Sequence, residues 1–75
     1  MLLTETAQGE QVRITDMTSV SQIVRRRLVD LDIVEGTIVS LKRAMFFKGP
    51  IAIEAQGQCI AIRRKDAEAI LVERL

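Results

Sequence analysis

The stretch Pro50-Ile51-Ala52-Ile53-Glu54-Ala55-Gln56-Gly57-Gln58-Cys59-Ile60-Ala61-Ile62-Arg63 decides how this chain folds. Two alternating runs flank Gln56-Gly57, a pair whose Gly can supply the positive φ that a two-residue hairpin loop needs. With those residues as the turn, Ala55 faces Gln58, Glu54 faces Cys59, Ile53 faces Ile60, Ala52 faces Ala61 and Ile51 faces Ile62. Side chains along a strand alternate between faces, so this register gathers four isoleucines on one face. It leaves Ala52, Glu54, Cys59 and Ala61 on the other. A slip of one residue would mix large and small on both strands, so the hairpin has one good register.

Working outward, Glu10–Thr15 alternates with Val12 and Ile14 on one side and Gln11 and Arg13 on the other, which predicts a first strand. Residues 19–31 change period: Val20, Ile23, Val24, Leu28 and Leu31 form one stripe of a helix. Ser19 and Gln22 have capping-box spacing at its start. Arg26 stands four residues before Asp30, an exposed pair of small value. Val34-Glu35-Gly36 reads as the turn out, and Asp32 falls where a left-handed residue often ends a helix. Thr37–Arg43 is a strand with Val39 and Leu41 inward. Beyond the hairpin, Asp66 is the expected cap of a short helical turn over 66–69, and Ile70–Leu75 closes the chain as a last strand. Leu2 and Leu3 either tuck against the body or fray with the terminus.

Five short strands and one amphipathic helix in 75 residues are too little for two stacked sheets. A strongly bent sheet closing on itself, with the helix plugging one opening, buries every apolar face. The expectation is a mainly β, SH3-like barrel of about five strands with one inserted α-helix and a short C-terminal helical turn, residues 1–75 forming one domain. Its stability must come from aliphatic packing, because 48% of the residues are hydrophobic and Cys59 has no second cysteine to pair with. A lone, half-buried thiol fits a reducing compartment. No apolar run approaches the length of a membrane span, and the N-terminus lacks a signal-peptide pattern, so a cytoplasmic location is expected.

Reactive chemistry is scarce. The chain has no His, hence no ordinary general base near neutral pH and no His-assisted nucleophile. Ser19, Ser21 and Ser40 are accounted for by cap, helix and strand. The four glycines are dispersed among turns rather than gathered in a phosphate loop. No catalytic residue, cofactor site or metal site is therefore assigned, and the chain is read as a non-enzyme. Asp30, Asp32 and Glu35 near the helix end could hold a hard cation weakly, but three such acids are more often plain surface.

The basic runs Arg25-Arg26-Arg27 and Arg63-Arg64-Lys65 could grip phosphates together. Acids follow both closely, the net charge is only +1, and there is no Trp or Tyr for bases to stack on. A solvated face is the better reading, without nucleic acid as a partner. Met45-Phe46-Phe47 is harder to explain. Both aromatics of the chain stand side by side in a connecting loop beside Lys48, Gly49 and Pro50. Either Phe47 closes the barrel end with Phe46 incidental, or the loop offers a protruding apolar contact to a partner protein, a second copy or a membrane face.

Leu28-Val29-Asp30-Leu31-Asp32-Ile33-Val34-Glu35-Gly36-Thr37, Val39, Gly49-Pro50, Ile53-Glu54, Gly57, Ile60-Ala61-Ile62-Arg63, Asp66-Ala67 and Ile70-Leu71-Val72 together carry a resemblance. In order and spacing they resemble the FeoA family, small cytoplasmic accessory proteins of bacterial ferrous-iron transport. The likeness spans roughly residues 10–74. It implies an SH3-like barrel, in agreement with the reading from the residues. It further implies docking on the cytoplasmic GTPase part of the large ferrous-iron permease FeoB, with contact to the membrane only through that partner. The same domain forms the C-terminal part of iron-dependent repressors of the diphtheria-toxin type. No winged-helix region precedes it here, so a free-standing protein is expected. Asp32 replaces the family's usual Gly, and Met45-Phe46-Phe47-Lys48 replaces a loop that commonly carries Pro and Gly. The expected function is a protein-interaction module of ferrous-iron uptake. Its contacts are placed at Met45, Phe46, Phe47, Lys48, Gly49 and Pro50 with Arg25 and Arg26, and homo-oligomerisation through the same loop is possible. A nucleic-acid-binding barrel and a metal-responsive domain are the alternatives.

Overall fold

The computed structural model describes residues 1–44 and 49–75. Five strands alternate with two helices: β1 (Gln11–Asp16), α1 (Gln22–Asp30), β2 (Ile38–Ala44), β3 (Ile51–Ala55), β4 (Gln58–Ile62), α2 (Arg64–Ala67) and β5 (Leu71–Arg74). All pairings are antiparallel in the order β4-β3-β2-β1-β5. The hairpin forms in the register read from the sequence, Ile51 opposite Ile62 through to Ala55 opposite Gln58. Its turn places both Gln56 and Gly57 at positive φ, 53° and 79°. Ile51, Ile53, Ile60 and Ile62 are buried, and Glu54, Cys59 and Ala61 are exposed. The Cys59 thiol, expected to be half-buried, stands exposed instead, on the hairpin face opposite the buried isoleucines.

Register shifts between Ile14 and Asp16 in β1, and between Leu41 and Arg43 in β2, bend the two central strands. The sheet curls accordingly, and the molecule measures 27 × 26 × 23 Å, close to equal in every direction. This is the SH3-like arrangement. Its core gathers Val12 and Ile14 of β1, Val39 and Leu41 of β2, the hairpin isoleucines and Val72, with Leu28 of α1 and Ala67 of α2 as lids.

The N-terminus does not fray. Leu3–Glu5 forms a 3-10 turn with Leu3 fully buried. The Leu3 N–H donates to the Ile70 carbonyl at 2.9 Å and the Val72 N–H to the Met1 carbonyl at 2.8 Å. Residues 1–3 thereby cover the outer edge of β5.

α1 begins later than the pattern predicts. Met17–Val20 forms a turn closed by the Val20 N–H on the Met17 carbonyl, with both side chains in the core. That turn spends Val20 before the helix starts, so Ser21 rather than Ser19 is the N-cap, and no side-chain hydrogen bond caps it. The inward stripe narrows to Val24, Leu28 and Leu31. Ile23, expected in that stripe, is 84% exposed. No ion pair joins Arg26 to Asp30 among the described residues. The exit matches the expectation: Asp32 takes φ 64°. The Ile33 N–H reaches back to the Leu28 carbonyl at 2.8 Å, and the Asp32 N–H to the Val29 carbonyl at 2.9 Å. These two bonds, with Leu28 and Ile33 both buried, make a Schellman motif.

Candidate functional site

The wall of the barrel is incomplete between α1 and β4. Ile23, Val24 and Arg27 line one side, Ala61, Ile62 and Arg63 the other, and Pro50 one end, around a groove of about 410 Å³. Ile62 points to the core but closes the floor, whereas Ala61 faces out. The groove is therefore apolar along its base, with a guanidinium on each bank.

The two arginines are held differently. Arg63 is engaged within the protein: its Nε donates to Asp66 Oδ2 at 2.9 Å and its Nη2 to Ser21 Oγ at 3.3 Å. Arg27 reaches across the groove, and its Nη1 donates to the Ala61 carbonyl at 3.2 Å. That bond fixes its position without neutralising its charge. Among the described residues no carboxylate pairs with Arg25, Arg26 or Arg27. Among the described residues this helix face makes no ion pair, while the sheet carries its own, Arg13–Glu73, Lys42–Glu54 and Arg74–Glu10.

Asp66 organises the end of the groove. Expected to cap α2, it lies inside that helix, whose N-cap is Arg63. The residue is 3% exposed, and its carboxylate accepts the Ser21 backbone N–H at 3.2 Å, so it serves α1 instead. Burial alone would raise its pKa. The Ser21 backbone and side-chain hydrogen bonds and the Arg63 guanidinium outweigh that, and the carboxyl stays below the usual carboxylate range.

Of the contact residues read from the sequence, Pro50 lines the groove and half-buried Gly49 adjoins it. Arg25 and Arg26 lie on α1 but do not line it. Met45, Phe46, Phe47 and Lys48 lie outside the described residues. Sequence reasoning missed Ile23, Arg27 and Ala61. The signal for Ile23 was present in Val24, Leu28 and Leu31, which make a complete stripe at helical spacing without it. Glu35, considered with Asp30 and Asp32 as a cation site, turns its Oε2 to the Met17 N–H at 3.1 Å. Among the described residues no three His, Cys, Asp or Glu side chains are grouped to hold a metal ion.

A family model for the FeoA domain matches residues 1–74. The chain belongs to the FeoA domain family. The FeoA protein of Chlorobium tepidum, solved in solution, is 33% identical with a TM-score of 0.90, and the match covers all of this chain and 70% of that one. The iron(II) transport protein A of Clostridium thermocellum is 25% identical with a TM-score of 0.85, over all of this chain and 46% of that one. A manganese-dependent transcriptional repressor shares the FeoA fold at 16% identity and a TM-score of 0.85, this chain matching 41% of its length. No curated protein matches the chain. The FeoA domain is thus a shared architecture in which the barrel is kept and its surroundings vary.

Proposed function

We propose that this FeoA domain is a cytoplasmic accessory module of ferrous-iron transport that docks, without catalysing a reaction, on the cytoplasmic GTPase part of a FeoB-type permease. Family membership supports the iron-transport setting. The observation that carries the docking reading is Ile23, an aliphatic side chain 84% exposed on the bank of an apolar groove. Exposed apolar surface of this kind, rimmed by charge, is what a protein partner buries. The absence of His from the chain supports a role by contact rather than turnover. No described helix is long and apolar enough to cross a membrane, so attachment to a membrane would come through the partner.

Co-purification with the full-length permease tests the reading. Ile23→Asp places a charge on the groove wall without touching the core, and association is expected to fall sharply. Phe46→Asp and Phe47→Asp ask the same of the contacts read from the sequence at those residues. Wild-type recovery of the permease by all three variants would remove both surfaces from the interaction.

A further inference from the structure

The sheet has two outer edges, and the protein treats them differently. The β5 edge is occupied by its own N-terminus, through the Leu3 N–H on Ile70 and the Val72 N–H on Met1. Among the described residues the β4 edge has no such cover. In a two-residue hairpin the residues flanking the turn form a hydrogen-bonded pair, and such pairs alternate along the ladder. Ala55–Gln58, Ile53–Ile60 and Ile51–Ile62 are then the bonded pairs, so Cys59 and Ala61 direct their N–H and C=O groups away from β3. The Arg27 guanidinium confirms this direction independently, because it meets the Ala61 carbonyl from the outer side. The Cys59 N–H, the Cys59 carbonyl and the Ala61 N–H have no partner among the described residues.

The open Ala61 N–H borders the groove itself, since Ala61 and Ile62 of β4 line it with Arg63, and Cys59 continues the same edge beyond it. An extended chain laid along that bank would pair its backbone with both Cys59 groups and with the Ala61 N–H, the Ala61 carbonyl being held by Arg27. Every second side chain would then turn toward Ile23 and Val24 on the helix bank. Arg27 stands above that path with Arg25 and Arg26 on the same helix, none of them opposed by a described carboxylate. An unpaired strand edge is a template for another chain, and a lone cationic side chain reaching over it is a usual way of keeping that edge from self-pairing.

We propose that the β4 edge accepts an extended segment of the partner as a sixth strand, one carrying apolar side chains at alternate positions and a carboxylate opposite Arg27. This deepens the docking reading above and rests on it: the groove supplies the apolar contact, Cys59 and Ala61 supply backbone pairing, and Arg27 selects an acidic segment. A partner that only laid a helix into the groove would leave both backbone amides open.

Amide hydrogen exchange separates these cases. The protein is isotope-labelled, and exchange is followed by NMR with and without the purified cytoplasmic GTPase region of the permease. Cys59 and Ala61 amides, fast in the free protein, are expected to slow by about tenfold or more in the complex, alongside shifts at Ile23 and Val24. Ala61→Pro removes one outward donor without breaking the ladder to β3, and should weaken association while hairpin shifts at Ile53 and Ile60 keep their wild-type values. Arg27→Glu should weaken it further, and Arg27→Lys should restore part of the loss. Binding with unchanged exchange at Cys59 and Ala61 would overturn the added strand while leaving docking intact. Absence of any binding would overturn both. Slowing that appears in the protein alone and grows with its concentration would assign the edge to a second copy and overturn the partner strand.

Discussion

The carboxylate of Asp66 on α2 accepts the backbone N–H of Ser21 at the start of α1 across 45 residues of chain. Arg63 closes the arrangement with one donor to Asp66 and another to the Ser21 hydroxyl. A helix N-terminus leaves backbone donors unsatisfied, and here a distant buried carboxylate supplies what the Ser21 side chain does not. Asp66→Ala leaves a partly buried donor and a guanidinium without their acceptor and should cost about 1–3 kcal/mol. Urea unfolding measures it, with exposed Glu68→Ala as a control that should lie within about 0.5 kcal/mol of wild type.

The same carboxyl gives the fold an acid dependence of definite sign. Burial acts to raise the Asp66 pKa, but the Ser21 hydrogen bonds and Arg63 prevail and hold it below its ordinary 3.8. The folded state therefore binds fewer protons than the unfolded chain in the acid range. The stabilisation is complete above the ordinary carboxylate pKa and is lost as pH falls through the lower folded value. Asp16, lowered by its bonds to the Thr18 N–H and hydroxyl, acts in the same direction. Unfolding free energies of wild type and Asp66→Asn should differ most at neutral pH and converge as the pH falls below the ordinary carboxylate value. A gap of constant size across that range would contradict the assignment.

Asp32 carries a cost that a single change removes. At φ 64° it occupies the left-handed position of the Schellman motif, which favours a residue without a Cβ. Its interactions run through its backbone, whose carbonyl accepts from the Thr37 hydroxyl and the Gln56 amide, both at 3.3 Å. Those bonds survive substitution. Asp32→Gly should stabilise the protein by about 0.5–1 kcal/mol, and Asp32→Val should destabilise it, since a β-branched residue is strained there. Thermal melts of the two variants should move in opposite directions from wild type.

How far the fold could be read in advance depended on the range of the forces involved. The hairpin was legible because Gln56-Gly57 and the isoleucine alternation are local and agree. Asp32 was legible for the same reason, as a helix exit is decided within a few residues. The helix start was not, because Met17 and Val20 are drawn into a core assembled from distant strands. Asp66 was misread as a local cap because its partners, Ser21 above all, are adjacent only after folding. The groove was half legible: Pro50 was among the contacts expected from the sequence. Arg27 and Ala61 matter through a bond between two elements that no local pattern contains.

Ile23 and Ile53 should separate folding from docking. Ile53 is fully buried at the centre of the hairpin face, and truncation to Ala should cost about 2–5 kcal/mol from the lost transfer energy and the cavity left behind. Ile23 is the same residue type with almost all of its surface in water, so Ile23→Ser has little burial to lose. Its unfolding midpoint should match wild type within about 0.5 kcal/mol, while its binding to the GTPase region falls. An Ile23→Ser variant that unfolds as readily as Ile53→Ala would show that the side chain is packed rather than presented. A variant as stable as wild type and equally well bound would show that this bank of the groove faces only solvent.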